Sequence, residues 1–167
     1  ILCGLKIDFI DIDPDTWNIS IENLENKLKI AKKKRKLPKL IIVVHLGGLP
    51  VNPLRLRNLS KKYKFKIIED ASHSFGGKYC FKRVGCSKLS DITVFSFHPV
   101  KIITTGEGGC CTTNQKKYYE KLKILANNGI IKETKNFKFK NLGPWYYEQH
   151  SIGYNFRMND IQSTLGI

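Results

Sequence analysis

The chain has 167 residues, and 29 Lys and Arg against 14 Asp and Glu give a formal charge of +15. With 41% apolar and 11% aromatic residues it can bury a core, which excludes a disordered chain. Its longest apolar run, around Leu40–Val44, falls far short of the ~20 residues that span a bilayer, so no transmembrane helix is expected.

Taken in chain order, apolar runs alternate with amphipathic ones. Residues 6–11 (KIDFID) alternate with period two and predict a strand, followed by a turn at Asp13, Pro14 and Asp15. Ser20 is placed to cap a helix with Ile21, Leu24, Leu28 and Ala31 on its apolar face. The run at 32–36 (KKKRK) then reads as a solvated helix end, where cations meet the negative pole of the dipole. Leu40–Val44 (LIIVV) is a continuous apolar run, as expected of a strand covered on both faces. Pro53 fits the first turn of a helix to about Lys64, with Leu54, Leu56 and Leu59 partly inward. A short strand at 66–69 (KIIE) ends at Asp70, and another is expected at Ile92–Ser96 (ITVFS). After a loop containing Lys101 come a strand near 109–113 and a helix over about 114–128. From 130 to 151 the pattern loosens into a surface excursion, and 159–167 begins like a capped helix.

Strand, helix, strand, helix, strand predicts an α/β fold with a mostly parallel sheet and helices on its faces. Ligands gather at the carboxyl ends of such strands, and His45, Asp70 and Ser96 all fall at that edge. Only five of the 29 basic residues are Arg (Arg35, Arg55, Arg57, Arg83 and Arg157). Base readers lean on Arg forks that Lys cannot imitate, so the basic excess reads as lysine-rich composition and no nucleic-acid partner is expected. The rival reading, a module that grips an anionic surface, has little but net charge behind it. Five scattered cysteines (Cys3, Cys80, Cys86, Cys110, Cys111) show no metal spacing and an odd count. They read as buried or half-buried free thiols in a reducing, cytoplasmic setting, with no metal site.

Two groups of residues could carry chemistry. Asp70, directly after an apolar strand, would be partly desolvated and need a cationic partner, and His73 can lie on the same side of the turn. On residue type alone, a structural loop network and a site are both open. Lys101 stands out among the lysines by its setting, between apolar residues and a glycine-rich turn, where desolvation favours a nucleophilic amine. A structural role is equally open for it.

Four ordered motifs, EDASH at 69–73, FSFHPVK at 95–101, ITTGEGG at 103–109 and GYNFRMNDIQ at 153–162, together resemble the DegT/DnrJ/EryC1/StrS family of sugar aminotransferases. The resemblance starts at 9–20 (FIDIDPDTWNIS) and runs over essentially the whole chain. It implies a pyridoxal 5'-phosphate cofactor and a three-layer αβα large domain of the aspartate aminotransferase type (fold type I). The chain would then be the central part of that domain, incomplete, without the N-terminal phosphate-cradling segment and the C-terminal small domain. Carried over residue by residue, Lys101 is expected to form the Schiff base with the cofactor and to shuttle the proton. Asp70 is expected to face the pyridine nitrogen, His73 to sit beside the ring, and Ser96 to bind the phosphate. Asn155 would reach the phosphate of a neighbouring subunit, implying a homodimer with shared sites. His45, His98, Glu107 and Arg157 lie in family motifs, but no chemistry is assigned to them. The branch with the most similar motifs aminates a UDP-linked 4-keto-6-deoxy-N-acetylhexosamine on the route to pseudaminic acid. Family members that are dehydratases carry His where this chain has Lys101, which favours transamination, with L-glutamate the expected donor.

Overall fold

A computed structural model of the chain describes residues 3–86, 89–139 and 142–167. Helix α1 (Ile21–Lys33) starts where Ser20 accepts the Asn23 N–H, and its last turn carries Lys32 and Lys33. It leads to strand β1 (Leu40–Val44), then to α2 (Pro53–Tyr63), capped by Asn52 with Pro53 in its first turn. The chain continues through β2 (Lys66–Asp70), a hairpin of β3 (Lys78–Tyr79) and β4 (Lys82–Arg83), and β5 (Ile92–Ser96). Next come β6 (Gly109–Thr112), α3 (Lys116–Ala126), the short pair β7 (Ile130–Ile131) and β8 (Glu148–Gln149), and α4 (Asp160–Leu165). Asn159 and Gln162 close a reciprocal capping box at the start of α4.

The main sheet runs β1-β2-β5-β6. β1–β2 and β2–β5 are parallel, and β5–β6 is antiparallel. A mostly parallel sheet with helices is thus what the chain forms, although β2 and β5 are joined through the β3–β4 hairpin rather than through a helix. The core lies on one face, where Leu24 and Leu28 of α1 and Leu56, Leu59 and Tyr63 of α2 meet Ile41, Val43 and Ile67. Asp91, 2% exposed, ties the lower edge together by accepting the Ile67 N–H and the Gln115 amide and pairing with Lys66 and Arg57.

Several expectations need correction. Residues 6–11 form no strand; a lone bridge joins Ile12 to Ile19, and Lys27 binds Asp8 and the Phe9 carbonyl. Alternation alone cannot make a strand without a neighbour to take its ladder bonds. The run Leu40–Val44 is covered on one face only, because α1 and α2 lie on the side of Ile41 and Val43; Ile42 and Val44 are exposed. Leu54 faces solvent rather than the core. The five cysteines are free but exposed, two of them on edge strand β6 and one at the hairpin tip. Among the described residues, no helix is long and apolar enough to cross a membrane.

Candidate functional site

The parallel register brings the expected residues to one edge of the sheet. Asp70 pairs with Val44 on one side and Val94 on the other, so β1, β2 and β5 end almost level, with Ser96 two residues beyond Val94. In β2, Ile67 and Glu69 point to the core face and Ile68 and Asp70 to the other. In β5, Thr93 and Phe95 take the core face, leaving Val94 and Ser96 beside Asp70 on the open one. Period-two alternation thus sorts the chemistry: Asp70 and Ser96 share the face away from α1 and α2.

The loops after these strands are tightly tied. Asp70 Oδ1 accepts both the Ser72 amide (3.1 Å) and the Ser72 hydroxyl (2.6 Å), and its Oδ2 has no partner among the described residues. His73 lies in the next turn, half-buried, with its ring nitrogens unpartnered among the described residues. Its carbonyl packs on Gly48, whose φ is +87° and where a Cβ would stand 2.8 Å from that oxygen; only glycine suits that approach. Ser96 Oγ accepts the His98 amide (3.3 Å) and keeps its own proton for a ligand. The loop to β6 is braced by Phe97, whose N–H donates to the Gly108 carbonyl and whose carbonyl accepts from Thr104 and Thr105. Within it, the Lys101 N–H donates to the His98 carbonyl, while its half-buried ammonium has neither ion pair nor hydrogen bond among the described residues.

Asn155 is exposed, on a segment bridged antiparallel to Asn127 at the end of α3, and no described hydrogen bond joins it to Asp70, His73, Ser96 or Lys101. Tyr154 and Phe156 on either side stack face to face with centroids 4.7 Å apart, and Arg157 bonds Asn127. His98 and Glu107 face each other at 4.0 Å in the Lys101 loop.

Sequence reasoning missed the layer beneath Asp70. His45 is 1% exposed, and its Nδ1 accepts the Val51 N–H. The proton therefore sits on Nε2, which faces Glu69 Oε1 at 3.6 Å. Glu69 Oε2 accepts the Thr93 hydroxyl at 2.6 Å. Burial pushes the Glu69 carboxyl up, but the His45 ring and the Thr93 and Ser90 hydroxyls outweigh it and hold the carboxyl below its usual range. The signal was present in KIIED: alternation puts Glu69 on the same face as Ile67, an ionisable group in a core position. Asn18, also buried, accepts the Leu46 N–H and donates to the Leu49 carbonyl, pinning the loop that carries His45.

The donor set on the open face fits the expected cofactor. A carboxylate oxygen without a partner suits a protonated pyridine nitrogen, a free hydroxyl proton suits a phosphate, and an unpaired amine suits an aldehyde.

Comparison with known proteins identifies the family. The chain is 40% identical to a Campylobacter jejuni UDP-4-amino-4,6-dideoxy-N-acetyl-beta-L-altrosamine transaminase over 167 residues, 100% of this chain and 40% of that protein. Its fold matches Helicobacter pylori PseC, an aminotransferase of pseudaminic acid biosynthesis, with a TM-score of 0.80 at 34% identity over 98% of this chain and 39% of that one. A Brucella abortus DegT DnrJ EryC1 StrS aminotransferase superposes with a TM-score of 0.81 at 31% identity, covering 98% of this chain and 41% of its own. The chain thus spans about 40% of the length of these relatives. The DegT/DnrJ/EryC1/StrS aminotransferase family model matches residues 1–167, and the chain belongs to that family.

Proposed function

We propose that this chain supplies the central cofactor-binding part of a pyridoxal-phosphate-dependent aminotransferase that converts a 4-keto-6-deoxy nucleotide sugar to its 4-amino sugar. The observation that carries the proposal is the shared strand edge. There, on the side of the sheet away from α1 and α2, Asp70 and Ser96 face the same way, and the unpaired Lys101 amine follows in the next loop.

When bound, the cofactor supplies an electron sink that stabilises negative charge at the carbon that gains or loses nitrogen. The chain's own residues do the rest. Asp70, anchored by Ser72, offers its free oxygen to the pyridine nitrogen and keeps a proton there. Ser96 donates its hydroxyl to the phosphate, and His73 sits beside the ring. Lys101 Nζ is the amine that would hold the cofactor and, when free, would carry the proton to and from the reacting carbon. Asp70 and Ser96 close two adjacent strands, with His73 and Lys101 in the loops that follow, so the sheet sets the spacing of the first two.

Asn155, exposed on its segment, would serve the phosphate of a second copy, which makes the working form a homodimer with shared sites. L-glutamate is the proposed amino donor and a UDP-linked N-acetylhexosamine the proposed acceptor. The names of the relatives support the sugar class, and Lys101, where related dehydratases carry His, supports transamination.

The test uses the complete polypeptide carrying residues 1–167. Titration with pyridoxal phosphate produces a visible absorbance band, and product analysis with L-glutamate and a UDP-linked 4-keto sugar yields the 4-amino sugar. Lys101→Ala abolishes both. A Lys101→Ala protein that keeps the band and the turnover contradicts the proposal.

A further inference from the structure

The buried layer under Asp70 has no role in the scheme above. Glu69 is 5% exposed, and the only ionisable side chain within ion-pairing distance among the described residues is His45. His45 Nδ1 is taken up as the acceptor of the Val51 N–H, and its Nε2 faces the carboxylate without a hydrogen bond. Lys82 and Arg83 line the same cavity of about 20 Å³ but neither pairs with the carboxylate. A core position on a sheet normally carries an apolar residue, and a buried carboxylate without a Lys or Arg partner is a costly substitute. Such an arrangement is retained at sites where the charge is used.

Geometry shows where that charge acts. Glu69 and Asp70 are consecutive, on opposite faces of β2. The His45 N–H donates to the Asp70 carbonyl at 3.0 Å, while the ring of the same His45 faces Glu69. Glu69 sits opposite Thr93 in the β2–β5 register and accepts its hydroxyl, and Thr93 continues to Ser90 at 3.1 Å. A polar chain therefore crosses from the end of β1 through β2 to β5, one residue below the carboxylate assigned to the pyridine nitrogen. His45 Nε2 makes no hydrogen bond and points toward Glu69 across the cavity, which is large enough for a single water to bridge them.

We propose that Glu69, held by His45 and Thr93, is a positioning residue for Asp70. It locks the end of β2 between its neighbours and adds a buried negative charge that favours the protonated pyridine nitrogen on the opposite face. This rests on the reading of Asp70 as the partner of that nitrogen.

The experiment loads the complete polypeptide with pyridoxal phosphate isotopically labelled at the ring nitrogen and reads that nitrogen's protonation by NMR, together with the cofactor dissociation constant. Asp70→Asn tests the underlying reading, and must move the nitrogen signal toward the unprotonated position. Glu69→Gln, which removes the charge and keeps the shape, is expected to move it in the same direction and to weaken cofactor binding about tenfold, the effect of one pKa unit. Thr93→Val, which removes only the hydroxyl on Glu69 Oε2, moves both in the same sense by less and stands in if Glu69→Gln does not fold. If Asp70→Asn shifts the nitrogen signal while Glu69→Gln and Thr93→Val leave signal and affinity as in the unmodified protein, Glu69 is only structural and the inference is overturned. If Asp70→Asn itself changes nothing, the assignment of Asp70 fails and this inference fails with it.

Discussion

Two buried carboxylates outside the site show how single side chains hold this chain together. Asp91 satisfies the Ile67 N–H inside the sheet while gathering Gln115, Lys66 and Arg57 from three other positions. Burial pushes its carboxyl up, and the Ile67 N–H, Gln115 and Lys66 outweigh that and hold it below the usual range. Asp91→Ala leaves a buried N–H without an acceptor and is expected to cost about 1–3 kcal/mol, read from urea unfolding. Glu148 does the same for the excursion after α3, accepting the Lys138 and Phe139 amides, the Tyr146 hydroxyl and His150. Burial raises its carboxyl, but the Lys138 amide, His150 and the other donors bring it down to about 2 from an ordinary 4.5. A carboxyl lowered by folding stabilises fully above its unfolded value and loses that contribution as pH falls through the folded one. Exchange protection at the Lys138 and Phe139 amides should therefore hold above pH 4.5 and decay as pH falls toward about 2. Glu148→Gln should abolish that dependence.

At the scale of elements, the hairpin β3–β4 is the least consistent with its own residues. Its two-residue tip is Cys80-Phe81, both at positive φ (46° and 67°), and Phe81 is fully exposed. Tight hairpins of this kind favour Asn-Gly, and a side chain in the left-handed region costs about 1–2 kcal/mol per residue. Replacing Cys80-Phe81 by Asn-Gly should raise stability by roughly 1–2 kcal/mol in thermal or urea unfolding. Leu28 of α1, 2% exposed in the core, is the opposite case, and Leu28→Ala should cost about 2–5 kcal/mol.

These contrasts explain what was legible beforehand. Helices α1 and α2 could be read because the start signal and apolar spacing agree at Ser20, Leu24 and Leu28, and at Pro53, Leu56 and Leu59. Strands β1, β2 and β5 could be read because short apolar runs end at residues of different chemistry. The β3–β4 hairpin escaped because its tip lacks turn residues. Residues 6–11 misled because alternation says nothing about a pairing partner. Of the candidate site residues, Asp70 and Ser96 were placed at strand ends and Lys101 in the loop after β5, and the structure has them there. The His45–Glu69–Thr93 chain needed the register between three strands, which no single run of residues contains.

On the scale of the whole molecule, the sheet has a packed side and a bare one. α1 and α2 cover one face, while Ile42 and Val44 on the other are 58% and 44% exposed, and the β1 and β6 edges are open among the described residues. Apolar surface and free edges drive association. Residues 1–167 expressed alone should self-associate in sedimentation experiments, and Ile42→Lys should shift the distribution toward monomer. The face that exposes Ile42 and Val44 is also the face that carries Asp70 and Ser96.

The proposed activity rests on one amine among many lysines, and its identity can be measured directly. The complete polypeptide is incubated with pyridoxal phosphate, reduced with borohydride to fix the cofactor on whichever amine holds it, digested, and mapped by mass spectrometry. A phosphopyridoxyl group on the peptide containing Lys101, at near one per chain and absent from Lys101→Ala, is the predicted result. A label spread over surface lysines, or concentrated on a different one, would contradict the account.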